Sequence, residues 1–299
     1  MSGIGRSGMV LALAVAAGAG IAAEAFRLRP VGVAYADGKG TALRAPEGVG
    51  CGPDGLLAVA DTGNGRVVVY EVRDEEIVPR TDFALPELPY PLRVRVESKG
   101  DLLVLDGRLR KVGRVSARGE FRGYVEPAGT QGIAATRGFK IDGRGDVALL
   151  DVAGARVLFL GADGRPGREI RFPDACGFFS DLAVDGKGTV FLLDGVGRRL
   201  FTAGPDDKAV RPRPAALPDG VDFASSIEAD GAGRLFLVDQ NGGAIVILDA
   251  DGSMLGRQSM MGWREGQLRY PASICLDGKG LLFVADRGNN RVQAFSVGR

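Results

Sequence analysis

One aspartate recurs through this chain at nearly constant intervals. It stands at Asp61, Asp106, Asp151, Asp194, Asp239 and Asp286, with spacings of 45, 45, 43, 45 and 47 residues. The segment around the first, Val59–Tyr70 (VADTGNGRVVVY), returns at the last as Val284–Phe295 (VADRGNNRVQAF). A fixed period of this length marks an array of equivalent units, a solenoid or a closed ring of blades.

Within each period the residues alternate between apolar runs and turns. Asp-Gly pairs stand nine residues before the marker at Asp142-Gly143, Asp185-Gly186, Asp230-Gly231 and Asp277-Gly278. Pro53-Asp54-Gly55 and Ser98-Lys99-Gly100 hold this place in the first two repeats. Asp-Gly between alternating apolar residues is a hairpin signal, because both residues tolerate positive φ. Apolar runs precede the turn (Leu182-Ala183-Val184), follow it (Val147–Leu150) and follow the marker (Arg156–Leu160, Ala244–Leu248, Arg291–Phe295). A weaker fourth run appears at Glu120–Val125, Arg168–Phe172 and Met254–Ser259. Four short strands per period read as four-stranded antiparallel blades, and six periods as an all-β, six-bladed propeller. The last repeat supplies only three strands before Arg299, while a spare strand-like segment, Phe26–Tyr35, precedes the first repeat. Pairing of that segment with Arg291–Val297 would complete blade six and remove the open edges.

The repeats resemble the NHL family of β-propellers. The resemblance rests on Pro-x-x-(Ile/Val) at Pro46–Val49, Pro91–Val94 and Pro271–Ile274, then Asp-Gly-x-Gly, then Val-Ala-Asp-x-Gly-Asn-x-Arg-Val. Blade five departs from it, ending Asp239-Gln240-Asn241-Gly242-Gly243 without arginine. A WD-type propeller is not supported, since the single tryptophan, Trp263, is not followed by aspartate. The resemblance implies a face that receives partners. RNA binding occurs in the wider family, but a net charge of +1 and the signs of export argue against nucleic acid here.

Residues 1–25 differ from the rest. Met9–Ala23 is an apolar stretch after Arg6, and Ala23-Glu24-Ala25 offers an A-x-A cleavage site. This pattern reads as a bacterial signal peptide directing residues 26–299, the propeller, to the periplasm or cell exterior. An uncleaved anchor in the inner membrane is the alternative; after cleavage no segment would stay inserted. Cys51, Cys176 and Cys275 remain, an odd number. Cys51 and Cys275 fall on the first strands of blades that become neighbours on closure. They form a disulfide or are two small buried apolar residues.

No histidine occurs in the 299 residues. This excludes a Ser-His-Asp triad, a Cys-His pair, His-ligated zinc and a C-x-x-C-H haem site. Some propeller lyases related to the family use a histidine-bound metal, an activity this chain cannot share. The expectation is a protein without cofactor. Calcium alone stays open, because carboxylates suffice to hold it. The six marker aspartates read as architectural rather than metal-binding. A basic residue follows five places later at Arg66, Lys111, Arg156, Arg199 and Arg291, and a feature repeated in every blade serves the blade.

Individuality should lie where the innermost strands line the channel. Eleven residues before the marker stand Gly50, Arg95, Lys140, Ala183, Glu228 and Cys275; thirteen before stand Gly48, Arg93, Gly138, Asp181, Ser226 and Ser273. Arg93, Arg95, Arg137 and Lys140 belong to blades two and three, Asp181 and Glu228 to blades four and five. Such charges either neutralise one another or form a polarised mouth for a partner. The expected function is a non-enzymatic binding or scaffolding propeller that takes a protein or peptide at this mouth. The alternative is a lactonase, hydrolase or lyase using a carboxylate-bound metal. The leader reading has a direct check: mass spectrometry of the exported protein should find an N-terminus at or near Phe26, and an intact Met1 would indicate the anchor instead.

Overall fold

In a computed structural model, described here over residues 26–128, 135–174 and 177–298, the chain forms six four-stranded antiparallel sheets. The expected leader and Cys176 lie outside the described residues. The inner strands are Gly48–Cys51, Pro91–Val96, Thr136–Ile141, Phe179–Val184, Ala224–Ala229 and Ser273–Leu276. The second strand of every blade ends on its marker: Leu56–Asp61, Leu102–Asp106, Val147–Asp151, Val190–Asp194, Leu235–Asp239 and Leu281–Asp286. These second strands are almost wholly buried on both faces, because a blade is covered by its two neighbours. Their near-continuous Val/Leu/Phe character follows from that position. Each fully buried Leu or Val side chain contributes about 1.5–3 kcal/mol of apolar burial.

The core is divided into six hydrophobic clusters, one at each junction between blades. The cluster between blades two and three is the smallest, with eight fully buried members. Between blades one and two the inner strands touch. A Cβ added at Gly48 or Gly50 would lie 2.8 or 2.7 Å from the backbone of Leu92–Val94. Glycine at these two places therefore permits close approach of backbones and does not line free channel space.

The turns between first and second strands correct one expectation. The positive φ falls on the second glycine of Asp-Gly-x-Gly, at Gly145, Gly188, Gly233 and Gly280, and in blade six at Gly278 as well. The aspartate folds the turn with its side chain: Asp142 Oδ1 accepts hydrogen bonds from the N–H groups of Arg144 and Asp146, each at 2.9 Å. Asp185, Asp230 and Asp277 do the same. The side chain thus does what the positive φ of the first glycine was expected to do.

The loops after the markers share a second conformation. The fourth residue past the marker is left-handed in all six blades: Gly65, Arg110, Ala155, Arg198, Gly243 and Asn290, with φ between 48° and 64°. Glycine and asparagine accept this conformation readily, whereas Ala and Arg carry a cost of about 1–2 kcal/mol there.

The ring closes as the strand count required. Arg27–Ala34 pairs antiparallel with Arg291–Gly298, from Arg27 opposite Gly298 to Ala34 opposite Val292, as the outer strand of blade six. A second closure is covalent. Cys51 of blade one and Cys275 of blade six form a disulfide, with Cα atoms 5.8 Å apart and 224 residues between them in sequence. Deleting residues 27–34 should expose the edge at Arg291–Gly298 and cause self-association with a lowered Tm. A truncated chain that remains monomeric by light scattering at unchanged Tm would show this strand to be energetically idle.

Candidate functional site

The marker aspartates are clamps. Asp61, fully buried, accepts from the Arg44 N–H at 2.7 Å, Asn64 Nδ2 at 2.8 Å and Arg66 Nε at 2.8 Å. Asp286 repeats this with the Arg269 N–H, Asn289 and Arg291, and adds Gln293. Each ties the loop entering its blade to the loop leaving its second strand. Asp106 binds the N–H groups of Tyr90, Arg108 and Leu109, and Asp194 and Asp151 bind those of Gly197 and Gly154. Arg156 and Arg199 face Asp151 and Asp194, but Lys111 does not face Asp106 and instead pairs with Glu126 at 2.9 Å. In blade five, which lacks the following basic residue, Arg257 of the outer strand reaches Asp239 at 2.8 Å. The buried charge is compensated in that blade by a cation from elsewhere in the sheet.

Four of the six channel charges form one network across the axis. Lys140 Nζ lies 2.8 Å from Glu228, 2.8 Å from the Ile227 carbonyl and 3.8 Å from Asp181. Arg95 donates to the Val49 and Val94 carbonyls at 2.8 and 2.9 Å and reaches Glu228 at 3.4 Å. Asp181 accepts from Ser226 Oγ at 2.8 Å and the Ile227 N–H at 3.1 Å. Blades two, three, four and five are thereby joined through the axis, with two cations against two carboxylates. Burial lowers the affinity of Lys140 for its proton, Arg95 lowers it further, and the two carboxylates pull it back; the net direction is down. Burial works against the Asp181 carboxylate, yet Lys140, Arg93 and Arg95 outweigh it and hold the carboxyl below its usual range. Within this network Arg95 Nε is buried without a hydrogen-bond partner.

The other two charges stand apart. Arg93 donates to the Glu47 and Leu92 carbonyls at 3.0 Å, and Glu47 also pairs with Arg287 at 3.1 Å. Arg137 leaves the axis for the rim, donating to the Phe179 carbonyl at 3.1 Å and lying 4.0 Å above the Phe178 ring. A cavity of about 910 Å³ opens at the opposite mouth, among the strand-turn residues of blades one, two, three and six. On its wall Arg114 pairs with Glu97 and Arg122 with Asp101.

Chemically the axial network is closed. Its carboxylates are bound to Lys140 and Arg95, and the Ser226 hydroxyl is taken up by Asp181. Among the described residues no three Cys, Asp or Glu side chains converge as a metal site would require. The sequence reading did not identify the carbonyl and serine partners, because they follow from how the strands abut. It also missed the exposed aromatic and basic loops at the rim, which lie outside the repeat frame. The network carries its own pH signature. Asp181, depressed in the fold, stabilises the protein above about pH 4, and that contribution is lost as pH falls through its folded value. Asp181→Asn should cost about 3 kcal/mol at neutral pH, because Lys140 loses a partner. It should also flatten the acid limb of the urea midpoint against pH. A midpoint unchanged at pH 7 would show that the network contributes nothing net.

The NHL repeat family model matches residues 43–70 and 268–295, within the first and last blades. No curated protein sequence matches the chain. Among solved structures, the virginiamycin B lyase from Staphylococcus aureus superposes with a TM-score of 0.61 at 14% identity, over 91% of this chain and 99% of that one. A catalytically inactive histidine-to-alanine form of that lyase with quinupristin gives 0.63 at 14%, over 91% and 99%. A gluconolactonase from Xanthomonas campestris gives 0.64 at 17%, over 85% and 86%. At these identities the likeness is one of fold. The chain is a six-bladed β-propeller carrying NHL repeats in its first and last blades.

Proposed function

We propose that this chain is an exported, non-enzymatic binding module that engages a protein partner through the face bearing the marker loops. One observation carries the reading. Among the described residues, eight of the ten exposed large apolar side chains lie on that face: Tyr35, Leu109, Phe178, Val196, Met260, Met261, Trp263 and Tyr270. Trp263 is 76% exposed, in the loop that enters blade six. Tryptophan, tyrosine and methionine dominate the energetics of protein interfaces, and a monomer gains nothing by displaying them together. The Cys51–Cys275 disulfide supports an oxidising compartment, the periplasm or the exterior, in keeping with the apolar leader.

The enzymatic alternative finds less support. The lyase of similar fold is inactive without one histidine, and this chain has none. A metal-dependent hydrolase would need to free Asp181 and Glu228 from Lys140 and Arg95. Calcium is the ion that carboxylates alone could hold. The partner is a protein or peptide rather than nucleic acid, given the net charge of +1.

The test is a pair of substitutions at exposed atoms. Trp263→Ser with Met260→Ser should leave Tm nearly unchanged, since exposed positions contribute within about 0.5 kcal/mol. Photo-crosslinking in the exported compartment should lose the partner captured by the wild type. Capture at wild-type level by the folded variant would move the interface off this face.

A further inference from the structure

The blade-two marker loop departs from the other five in a way that the fold does not require. The four residues after the markers read Thr-Gly-Asn-Gly, Val-Ala-Gly-Ala, Gly-Val-Gly-Arg, Gln-Asn-Gly-Gly and Arg-Gly-Asn-Asn in blades one, three, four, five and six. In blade two they read Gly107-Arg108-Leu109-Arg110, followed by Lys111. Arg110 occupies the left-handed position, φ 59°, where glycine or asparagine would be at ease. Arg198 is the other arginine so placed, and it bonds the Pro218 carbonyl and approaches Asp219. Arg110 has no such partner. Its backbone carbonyl accepts from Thr136, which sets it beside Arg137. Among the described residues, no carboxylate lies within ion-pair distance of Arg108, Arg110 or Arg137.

Two of these guanidinium groups rest on aromatic rings, Arg137 over Phe178 at 4.0 Å and Arg108 over Tyr90 at 4.8 Å. Arg137 Nη1 is taken by the Phe179 carbonyl, and stacking leaves its remaining N–H groups, with the fork of Arg108, to grip a carboxylate through charge-assisted hydrogen bonds. Leu109 and Phe178, 46% and 44% exposed, stand among the three. The mutual repulsion of Arg110 and Arg137 shows in Arg137, whose proton affinity is lowered by burial and then by Arg110. An anion from outside would relieve it.

We propose that Arg108, Arg110 and Arg137, with Leu109 and Phe178, bind a short acidic peptide segment of a partner that carries an apolar residue between its carboxylates. The inference rests on the binding-module reading and names the chemistry of the partner. The segment is short because exposed carboxylates flank the site on the same face, Asp174 in the loop that leads to Phe178 and Asp222 in the loop that enters blade five. A long polyanion laid over the mouth would meet them. The apolar pair selects a peptide over a phosphate chain, which has nothing to place there.

The experiment uses a fluorescein-labelled peptide of alternating glutamate and phenylalanine, read by anisotropy against the full chain. Wild type should bind with an affinity that falls as salt rises. Arg110→Gly should weaken binding about tenfold, the loss of one charge-assisted contact. It should leave Tm unchanged or raise it, since glycine relieves the left-handed residue. That pairing separates recognition from structure: a lowered Tm would mean that Arg110 serves the fold and would overturn the inference. Arg137→Gln and Phe178→Ser should each weaken the peptide as well. Equal binding by all three variants, no binding by wild type, or tighter binding of polyphosphate or of phosphatidylglycerol vesicles than of the peptide would likewise overturn it. The Trp263 and Met260 variant provides the separation from the broader reading. If it loses the partner while the arginine variants keep it, the binding face stands and the acidic segment falls.

Discussion

Everything in this molecule depends on the two ends of the chain meeting. Six blades can bury their flat apolar faces only against one another, so each junction needs a neighbour on both sides. An open arc would leave two such faces wet. The strand at Arg27–Ala34 joins blade six by backbone pairing, interrupted by one irregularity between Pro30 and Gly32, so that the sixth sheet contains both ends of the described chain. The disulfide between Cys51 and Cys275 fastens the same seam from the inner strands. One closure acts at the perimeter and the other near the axis, and together they fix the first blade to the last. In the chain-entropy view, a bridge across 224 residues acts chiefly by restricting the unfolded chain.

Within that ring the marker aspartates perform a local task six times. A buried carboxylate at the end of each second strand gathers loop N–H groups that would otherwise lack partners, and in every blade but the second a cation offsets its charge. The cation is interchangeable in origin, as Arg257 shows in blade five. The carboxylate is not, because the loop amides converge on that one point. The same economy governs the Asp-Gly-x-Gly turns, where side-chain oxygen and a single left-handed glycine divide the work of reversing the chain. Such repeated devices set a standard against which a departing loop stands out.

The axis and the face then divide the charges. Lys140, Arg95, Asp181 and Glu228 lock four blades together where water is scarce and unpaired charge is costly. Arg137, which belongs to the same strand as Lys140, is turned outward onto Phe178. Two positive residues three apart on one strand thus have opposite fates, one structural and one available. The fold shared with a lyase and a gluconolactonase does not carry their chemistry, since activity resides in side chains placed on the fold.

The sequence by itself determined the architecture. A period near 45 residues, four apolar runs per period and a missing strand at one end admit little besides a closed six-bladed ring, because alternation and turn chemistry are local properties. It also determined what chemistry was unavailable, since the absence of histidine needs no coordinates. Only the tertiary structure decided which charges meet. Arg95 and Glu228 stand 133 residues apart and Arg110 and Arg137 lie in different blades, so their relations depend on how inner strands abut around the axis. The same holds for Cys51 and Cys275, and for Gly48 and Gly50, which a linear reading places in the channel and the packed strands place against a neighbouring backbone. The exposed rim of Trp263, Phe178 and Leu109 was hidden for a related reason. Loops obey no period, and whether a loop residue is covered depends on the blade beside it rather than on its own segment.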